Sequence, residues 1–374
     1  MERTAHALLV SVPRRDQASV DPLASLDREW RLIARLADRF QRLALLLPPG
    51  ETHDIDPRRL HPTPEIIDSG LDIYALAESL PAYAAVAIRT IGLDGHDHAL
   101  AARRLLRKDG HAAALVARAE HLASRRLVRD FGPDSPAAEA AARDERRLAD
   151  AADLVLASDD AVLDDLAWRD ALPLDRHRRV PDFVHDDAEP ALPDQRERAS
   201  VLCVARLAPA SNLDVLVRAC AEARRGEPDL TLEIIGPGLD AKHLAGLATD
   251  LGLPLSLPGS LPYDRILERL RRCAVYVQPA PADARSAAVF EAMSAGCPVV
   301  LPDEAPPDPA LQHGATALRV PNSAEGIAFA LAGILPDLDW RELLGLAASR
   351  AARSARALSR AAELEAAACD HALA

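Results

Sequence analysis

The stretch Phe290-Glu291-Ala292-Met293-Ser294-Ala295-Gly296-Cys297-Pro298-Val299-Val300-Leu301 reads as a helix running directly into a short apolar strand. Outward from it the same alternation recurs through most of the chain. On either side lie strand-like runs at 201–204, 230–235, 255–257, 274–277 and 317–320, with 298–301 inside the quoted stretch itself. Nearer the N-terminus the runs are 6–12, 43–47, 84–88, 113–118, 154–157 and 179–181. Amphipathic stretches separate them, such as 27–41, where Trp30, Ile33, Ala34, Ala37 and Phe40 share one helical face. Strands that alternate with helices pair in parallel through βαβ units, so the expected class is α/β.

The alternation lapses once, over 186–200, a polar stretch with two prolines that reads as a linker. It divides the 374 residues into lobes of similar size, 1–188 and 189–374. Two Rossmann-like lobes of this kind are expected to face a central cleft that holds the site. The last stretch, 340–374, carries leucines at helical spacing and reads as one or two helices closing the second lobe.

A formal net charge of −13, shared by both halves, argues against a general nucleic-acid binder, which needs a concentrated basic surface. Two local basic clusters, Arg103, Arg104, Arg107 and Lys108, then Arg125, Arg126 and Arg129, have helical spacing. They read as solvated faces, with peripheral contact to an anionic membrane or an acidic acceptor as the alternative. The five cysteines are odd in number and lack metal-ligand spacing, so buried free thiols are expected. No run is long and apolar enough to span a bilayer, and 7–12 is too short for a signal peptide; a cytoplasmic location is the expectation.

The residues with chemistry lie in the second half. Arg206 follows the strand at 201–204 and precedes a helix, the place where an α/β fold holds an anion. Gly236-Pro237-Gly238 ends the next strand and lets backbone approach a ligand closely. Asp283 and Glu291 stand eight residues apart across a helix start, and ionised carboxylates accept hydrogen bonds from sugar hydroxyls. The N–H groups near Ser286 and Ala287 offer an anion site at the same helix terminus.

Taken in order, Arg-Leu-x-Pro from Arg206, Gly-x-Gly from Gly236, Pro258-Gly259, and Asp283 followed by Glu291-Ala292-Met293 and Gly296-Cys297-Pro298-Val299-Val300 resemble the donor lobe of the family 4 retaining glycosyltransferases of GT-B architecture. Arg179-Val180-Pro181-Asp182-Phe183-Val184 is similar to that family's usual end of the first lobe. The resemblance implies a transferase that moves a sugar from a nucleotide-sugar to an acceptor with retention, and that uses neither metal nor other cofactor. It assigns Arg206 to the donor diphosphate, Glu291 to the ribose, Ser260 and Leu261 to the base, and Asp283 to the transferred sugar, with Arg206 and Asp283 as the catalytic pair. Gly236, Arg285 and Ser286 complete the donor set.

The motifs depart from the family pattern. Ser211 stands where the family has a lysine, Ala284-Arg285-Ser286 replaces a glycine-rich turn, and Pro306-Pro307-Asp308 replaces a glycine pair. Residues 13–26 stand in place of a glycine-rich loop. The family's histidine near the sugar is not at its usual place, which leaves Arg118, Glu120 and His121 as acceptor-side candidates. These losses make a catalytically inactive partner or scaffold the alternative. Lys242, the single lysine of the second lobe, does not fit a pyridoxal site, and no GxGxxG follows a strand, which disfavours phosphorolysis and dinucleotide chemistry. Asp54-Ile55-Asp56 and Asp337-Leu338-Asp339 resemble metal-binding strings, yet they fall in a loop and at a helix start.

Overall fold

A computed structural model describes residues 5–13, 22–50, 60–70, 72–93, 95–119, 122–158, 162–166, 173–184, 190–281 and 286–374. The chain divides into two compact units, Met1–Asp182 with Ser359–Ala374, and Phe183–Leu358.

The first unit is built on a parallel sheet of β1 (Ala5–Ser11), β2 (Phe40–Leu47), β3 (Glu65–Asp68), β4 (Ala85–Thr90), β5 (Ala112–Ala119), β6 (Leu154–Ala157) and β7 (His177–Arg179), in the order β3-β2-β1-β4-β5-β6-β7. Its helices are α1 (Pro22–Ala37), α2 (Asp72–Ser79), α3 (Asp97–Lys108), α4 (Ala123–Phe131) and α5 (Pro136–Ala151). Alternate residues of the strands, Ala7 and Leu9, Ala44 and Leu46, Val86 and Ile88, point into one buried cluster against α2 and α3. Leu8, Val10 and Leu45 are buried as well, so both faces of the sheet are covered, as a parallel sheet requires.

The second unit repeats the plan with β8 (Ser200–Val204), β9 (Thr231–Ile235), β10 (Leu255–Gly259), β11 (Val275–Val277), β12 (Val299–Pro302) and β13 (Leu318–Val320), ordered β10-β9-β8-β11-β12-β13 and all parallel. Its helices are α6 (Leu213–Ala223), α7 (Ala241–Asp250), α8 (Tyr263–Arg272), α9 (Ala287–Ser294), α10 (Ala324–Ile334) and α11 (Leu338–Ala355). Val201 and Cys203 face the cluster formed with α6, α7 and α10, while Leu202 faces the one formed with α8, α9 and α11. One strand of period two thus feeds two cores. Helix α11 comes close because Gly345 carries no side chain: a Cβ there would overlap the Gly296 carbonyl.

The last helix, α12 (Leu358–Leu373), was expected with the second lobe but belongs to the first unit. Electrostatics explain its place. Arg89 on β4 and Arg118 on β5 point side chains into the core, and Glu365 of α12 receives both: Arg89 Nε donates to Oε1 and Arg118 Nη1 donates to Oε2 at 2.6 Å. Glu29 of α1 supplies the second carboxylate, paired with Arg89 and 3.5 Å from Arg118 Nε. All four side chains are at most 2 % exposed. Burial alone would push the Arg89 proton off, but Glu365 and Glu29 outweigh it and hold its value above the ordinary arginine range.

Other differences from the sequence reading are local. Helix α1 starts at Pro22 rather than near residue 27, with proline in the first turn where it is tolerated, and Phe40 opens β2 beside Ala5 instead of closing the helix. Strand β3 went unread because it is four residues long, lies at the sheet edge and carries an acid at each end. Two residues of the first basic cluster, the largely buried Arg103 and the exposed Arg107, each hold Asp153 at 2.8 Å. Among the described residues, no helix is long and apolar enough to cross a membrane.

Candidate functional site

In the second sheet the chain leaves β8 toward β9 and β10 on one side, then returns to β11, β12 and β13 on the other. That reversal marks the carboxyl ends of β8 and β11, the usual ligand position of an open α/β sheet. Arg206 follows β8 there and is partly buried. Main-chain hydrogen bonds hold its loop: Ala205 N donates to Ile235 O at 3.0 Å and Leu207 N to Pro237 O at 2.8 Å.

The glycines beside it are required by this packing. Gly236 and Gly238 have φ of 147° and 151°, and a Cβ on them would overlap the carbonyls of Ala205 and Leu207 respectively. Read from sequence as room for a ligand, the Gly-Pro-Gly loop also fastens the Arg206 segment to the end of β9. Gly236 N in turn donates to Gly259 O at 2.9 Å, which brings the end of β10, and with it Ser260 and Leu261, beside the same edge.

Glu291 lies on α9, 5 % exposed, and Tyr263 at the start of α8 donates its hydroxyl to Oε1 at 2.7 Å. Tyr263 stands two residues after Leu261, so the hydrogen bond ties α9 to the Ser260–Leu261 segment. The sequence reading missed Tyr263; its signal was an aromatic residue at a helix start close behind Pro258-Gly259. Ser286 is the N-cap of α9, and its buried hydroxyl has no hydrogen-bond partner among the described residues. The N-terminal turn of α9, whose first N–H groups have no acceptor within the helix, lies just beyond it.

The structure therefore brings Arg206, Gly236, Ser260 and Leu261 to the ends of three neighbouring strands, and Tyr263 joins Glu291 to them. Asp283 and Arg285 lie outside the described residues, as do Glu120, His121 and the Asp54-Ile55-Asp56 string. Arg118 belongs to the ion cluster of the first unit, where its guanidinium meets Glu365 and Glu29. Ser211 is buried beside Asn212, which takes a left-handed φ of 52° immediately before α6. Asp337 caps α11 by accepting from Trp340 N at 2.8 Å, and Asp308 pairs with Arg356, which stacks 4.2 Å above the Phe290 ring.

The first unit has a polar cluster of its own that the sequence reading passed over. At the carboxyl ends of β1 and β4, Ser11 Oγ lies 2.8 Å from His96 Nδ1 and 2.9 Å from His98 Nε2, and His96 Nε2 is 3.0 Å from Ile91 O. The Ile91 carbonyl can only accept, so His96 carries its proton on Nε2, Ser11 donates to Nδ1, and His98 Nε2 donates to Ser11. Burial, and the charge His98 can carry, lower His96 to about 3 despite the Ile91 carbonyl. His96 thus stays neutral in the folded protein but binds a proton near pH 6.5 when unfolded, so its contribution to stability is present above pH 6.5 and falls as the pH drops toward 3. Urea denaturation between pH 7.5 and 5 is expected to show a loss of up to about 1.4 kcal/mol per pH unit from this group below pH 6.5. The slope should be shallower by that amount in His96→Gln.

Comparisons with known proteins bear on the fold and on residues 186–348. Residues 186–348 match the family model described as Glycosyl transferases group 1. A GDP-mannose-dependent alpha-(1-6)-phosphatidylinositol monomannoside mannosyltransferase of Mycobacterium tuberculosis is 30 % identical over 161 residues, which cover 40 % of this chain and 42 % of that protein. The matched stretch therefore spans well under half the length of that curated relative. Among solved structures, Anabaena HepE in complex with UDP-glucose superposes with a TM-score of 0.70 at 16 % identity, covering 97 % of this chain and 98 % of HepE. Sucrose-phosphate synthase from Thermosynechococcus elongatus gives 0.69 at 16 %, covering 96 % and 97 %. The chain has the α/β fold of the GT-B glycosyltransferases, and its residues 186–348 are similar to the Glycosyl transferases group 1 family.

Proposed function

We propose that this protein transfers a sugar from a nucleoside-diphosphate sugar to an acceptor, with retention at the anomeric carbon and without a metal. The observation that carries the reading is the convergence of Arg206, Gly236, Ser260, Leu261 and the Tyr263–Glu291 pair at the carboxyl edge of the second sheet, inside the segment that matches the glycosyltransferase family. Negative charge grows on the diphosphate as the sugar–phosphate bond breaks. Arg206 and the N–H groups at the start of α9, with Ser286 as its cap, are the groups that stabilise that charge. Arg285 adds a second cation in place of the lysine that Ser211 replaces.

Glu291, oriented by Tyr263, accepts hydrogen bonds from the vicinal hydroxyls of the ribose, and main chain at Ser260 and Leu261 meets the base. Asp283 accepts from hydroxyls of the transferred sugar. Glu120 and His121 are the acceptor-side groups; Arg118 supports the core instead. Retention rests on the resemblance of the donor motifs to the retaining family.

The direct assay incubates the protein with GDP-, UDP-, ADP- and dTDP-sugars and follows release of the nucleoside diphosphate, with and without EDTA. Release from one nucleotide class at an EDTA-independent rate is expected. A rate that EDTA abolishes and a divalent cation restores contradicts the metal-free reading.

A further inference from the structure

Two of the five cysteines form a pair. Cys273 caps the C-terminus of α8, Cys297 stands just before β12, and their sulfurs are 3.3 Å apart in the core of the second unit. Neighbouring strands put them there: Tyr276 N donates to Pro298 O, so the residues leading into β11 and β12 run side by side.

The surroundings are unusually positive for a protein interior. Arg196 is buried and donates to the carbonyls of Ala191, Leu270, Cys273 and Ala295. Arg341, 2 % exposed, donates to Arg198 O at 3.1 Å. Among the described residues neither guanidinium has a carboxylate within 4 Å, although Glu197 and Glu227 act on this region from further away. Burial and the like charge of Arg196 push Arg341 down from the ordinary arginine value. Buried cations without a carboxylate partner favour any nearby group that can turn anionic, and the thiols are such groups.

The two sulfurs respond in opposite ways. Burial pushes both thiols up. At Cys297 the S–H of Cys273 and the charges of Arg196 and Arg341 outweigh burial and bring it down. At Cys273 burial and the proton shared with Cys297 prevail and hold it well above the ordinary thiol value. A thiolate at Cys297, hydrogen-bonded by the Cys273 thiol, is the arrangement that fits. Cys273, 4 % exposed, forms part of the wall of an open cavity of about 370 Å³ that Ser200, Thr231, Ser256, Arg269 and Arg272 also line, and the Cys297 sulfur lies fully buried directly behind it.

We propose that Cys273 and Cys297 are an oxidative modification site, which a hydroperoxide closes to a disulfide and a dithiol reopens. The Cys297 thiolate attacks one peroxide oxygen; the O–O bond breaks, leaving Cys297 as a sulfenic acid and releasing hydroxide. The Cys273 sulfur then attacks the Cys297 sulfur and gives up its proton, the S–O bond breaks and water leaves. Overall two thiols are oxidised by two electrons, one hydrogen peroxide is reduced, and two waters form. The sulfurs need to approach by little more than 1 Å to reach the length of about 2.05 Å that an S–S bond requires. The closed loop spans 24 positions and encloses Asp283, Ser286 and Glu291, so the thiol state bears on the segment between β11 and β12.

The test treats the folded, reduced chain with hydrogen peroxide, removes the excess with catalase, alkylates in urea and digests with trypsin without reduction. Cleavage after Arg272, Arg285 and Arg319 separates the pair onto peptides 273–285 and 286–319. The expected result is the loss of two of the five alkylatable thiols, one linked species joining those peptides, and its disappearance on dithiothreitol treatment. Cys203→Ser is expected to link just as well, whereas Cys273→Ser should leave a sulfenic acid at Cys297 that dimedone traps. Five alkylated thiols after excess peroxide, linkage only when peroxide is added in urea, or sulfinic acid on both cysteines without a link would each overturn the proposal.

Discussion

Replacing Arg206 with alanine is expected to lower kcat/KM for sugar transfer by about 10²–10³-fold while leaving the fold intact. The size follows from how few cations the site offers. Ser211 stands five residues after Arg206 where the similar family has a lysine, so much of the leaving diphosphate's charge falls to the guanidinium. Arg206→Lys should recover only part of the rate, because an ammonium does not reproduce the forked, two-point contact with phosphate oxygens. The hydrogen bonds from Ala205 N to Ile235 O and from Leu207 N to Pro237 O that hold the loop belong to the main chain and are kept in the variant. Steady-state kinetics beside a urea midpoint separate the two effects. A kcat/KM within threefold of wild type would remove Arg206 from the reaction.

Glu365→Ala is expected to destabilise the first unit by about 3–5 kcal/mol, the usual consequence of removing one partner from a buried ion cluster. Arg89 and Arg118 would then lose the carboxylate they share at a site where all the side chains are at most 2 % exposed. Helix α12 would lose the contact that explains its place in the first unit. Glu365→Gln, which keeps the shape and can still accept, should cost less. Equilibrium unfolding reads this unit by unit in a Trp168→Phe background, where Trp30, buried on α1 beside Glu29, reports the first unit and Trp340 on α11 the second. The Trp30 transition should move to lower urea while that of Trp340 stays. A shift under about 1 kcal/mol at Trp30 would mean that the cluster contributes little.

The parallel α/β architecture was legible because buried parallel strands are short apolar runs, and runs such as 154–157 leave little choice of structure. Helix α12 was not legible: its leucines and alanines specify a helix, but what fixes its partner is Glu365 meeting two arginines 247 and 276 positions away. In the site, Arg206 and Glu291 could be picked out because strand ends and helix starts are marked by local sequence. Tyr263 could not, since its relation to Glu291 exists only once α8 and α9 pack. The same holds for Ser11 with His96 and His98, whose bond spans 85 residues. Gly236 and Gly238 were read for ligand access, whereas the loop at 205–207 also demands them.

The central claim is that the second unit binds a nucleoside diphosphate at the edge where Arg206 and Glu291 converge. Calorimetric titration of the protein with UDP, GDP, ADP and dTDP tests it most directly, with Arg206→Ala and Glu291→Ala measured alongside. The account predicts one binding event for at least one nucleotide, weakened about tenfold or more in each variant. A folded wild-type protein that binds none of the four nucleotides, or an affinity unchanged from wild type in both variants, would contradict it.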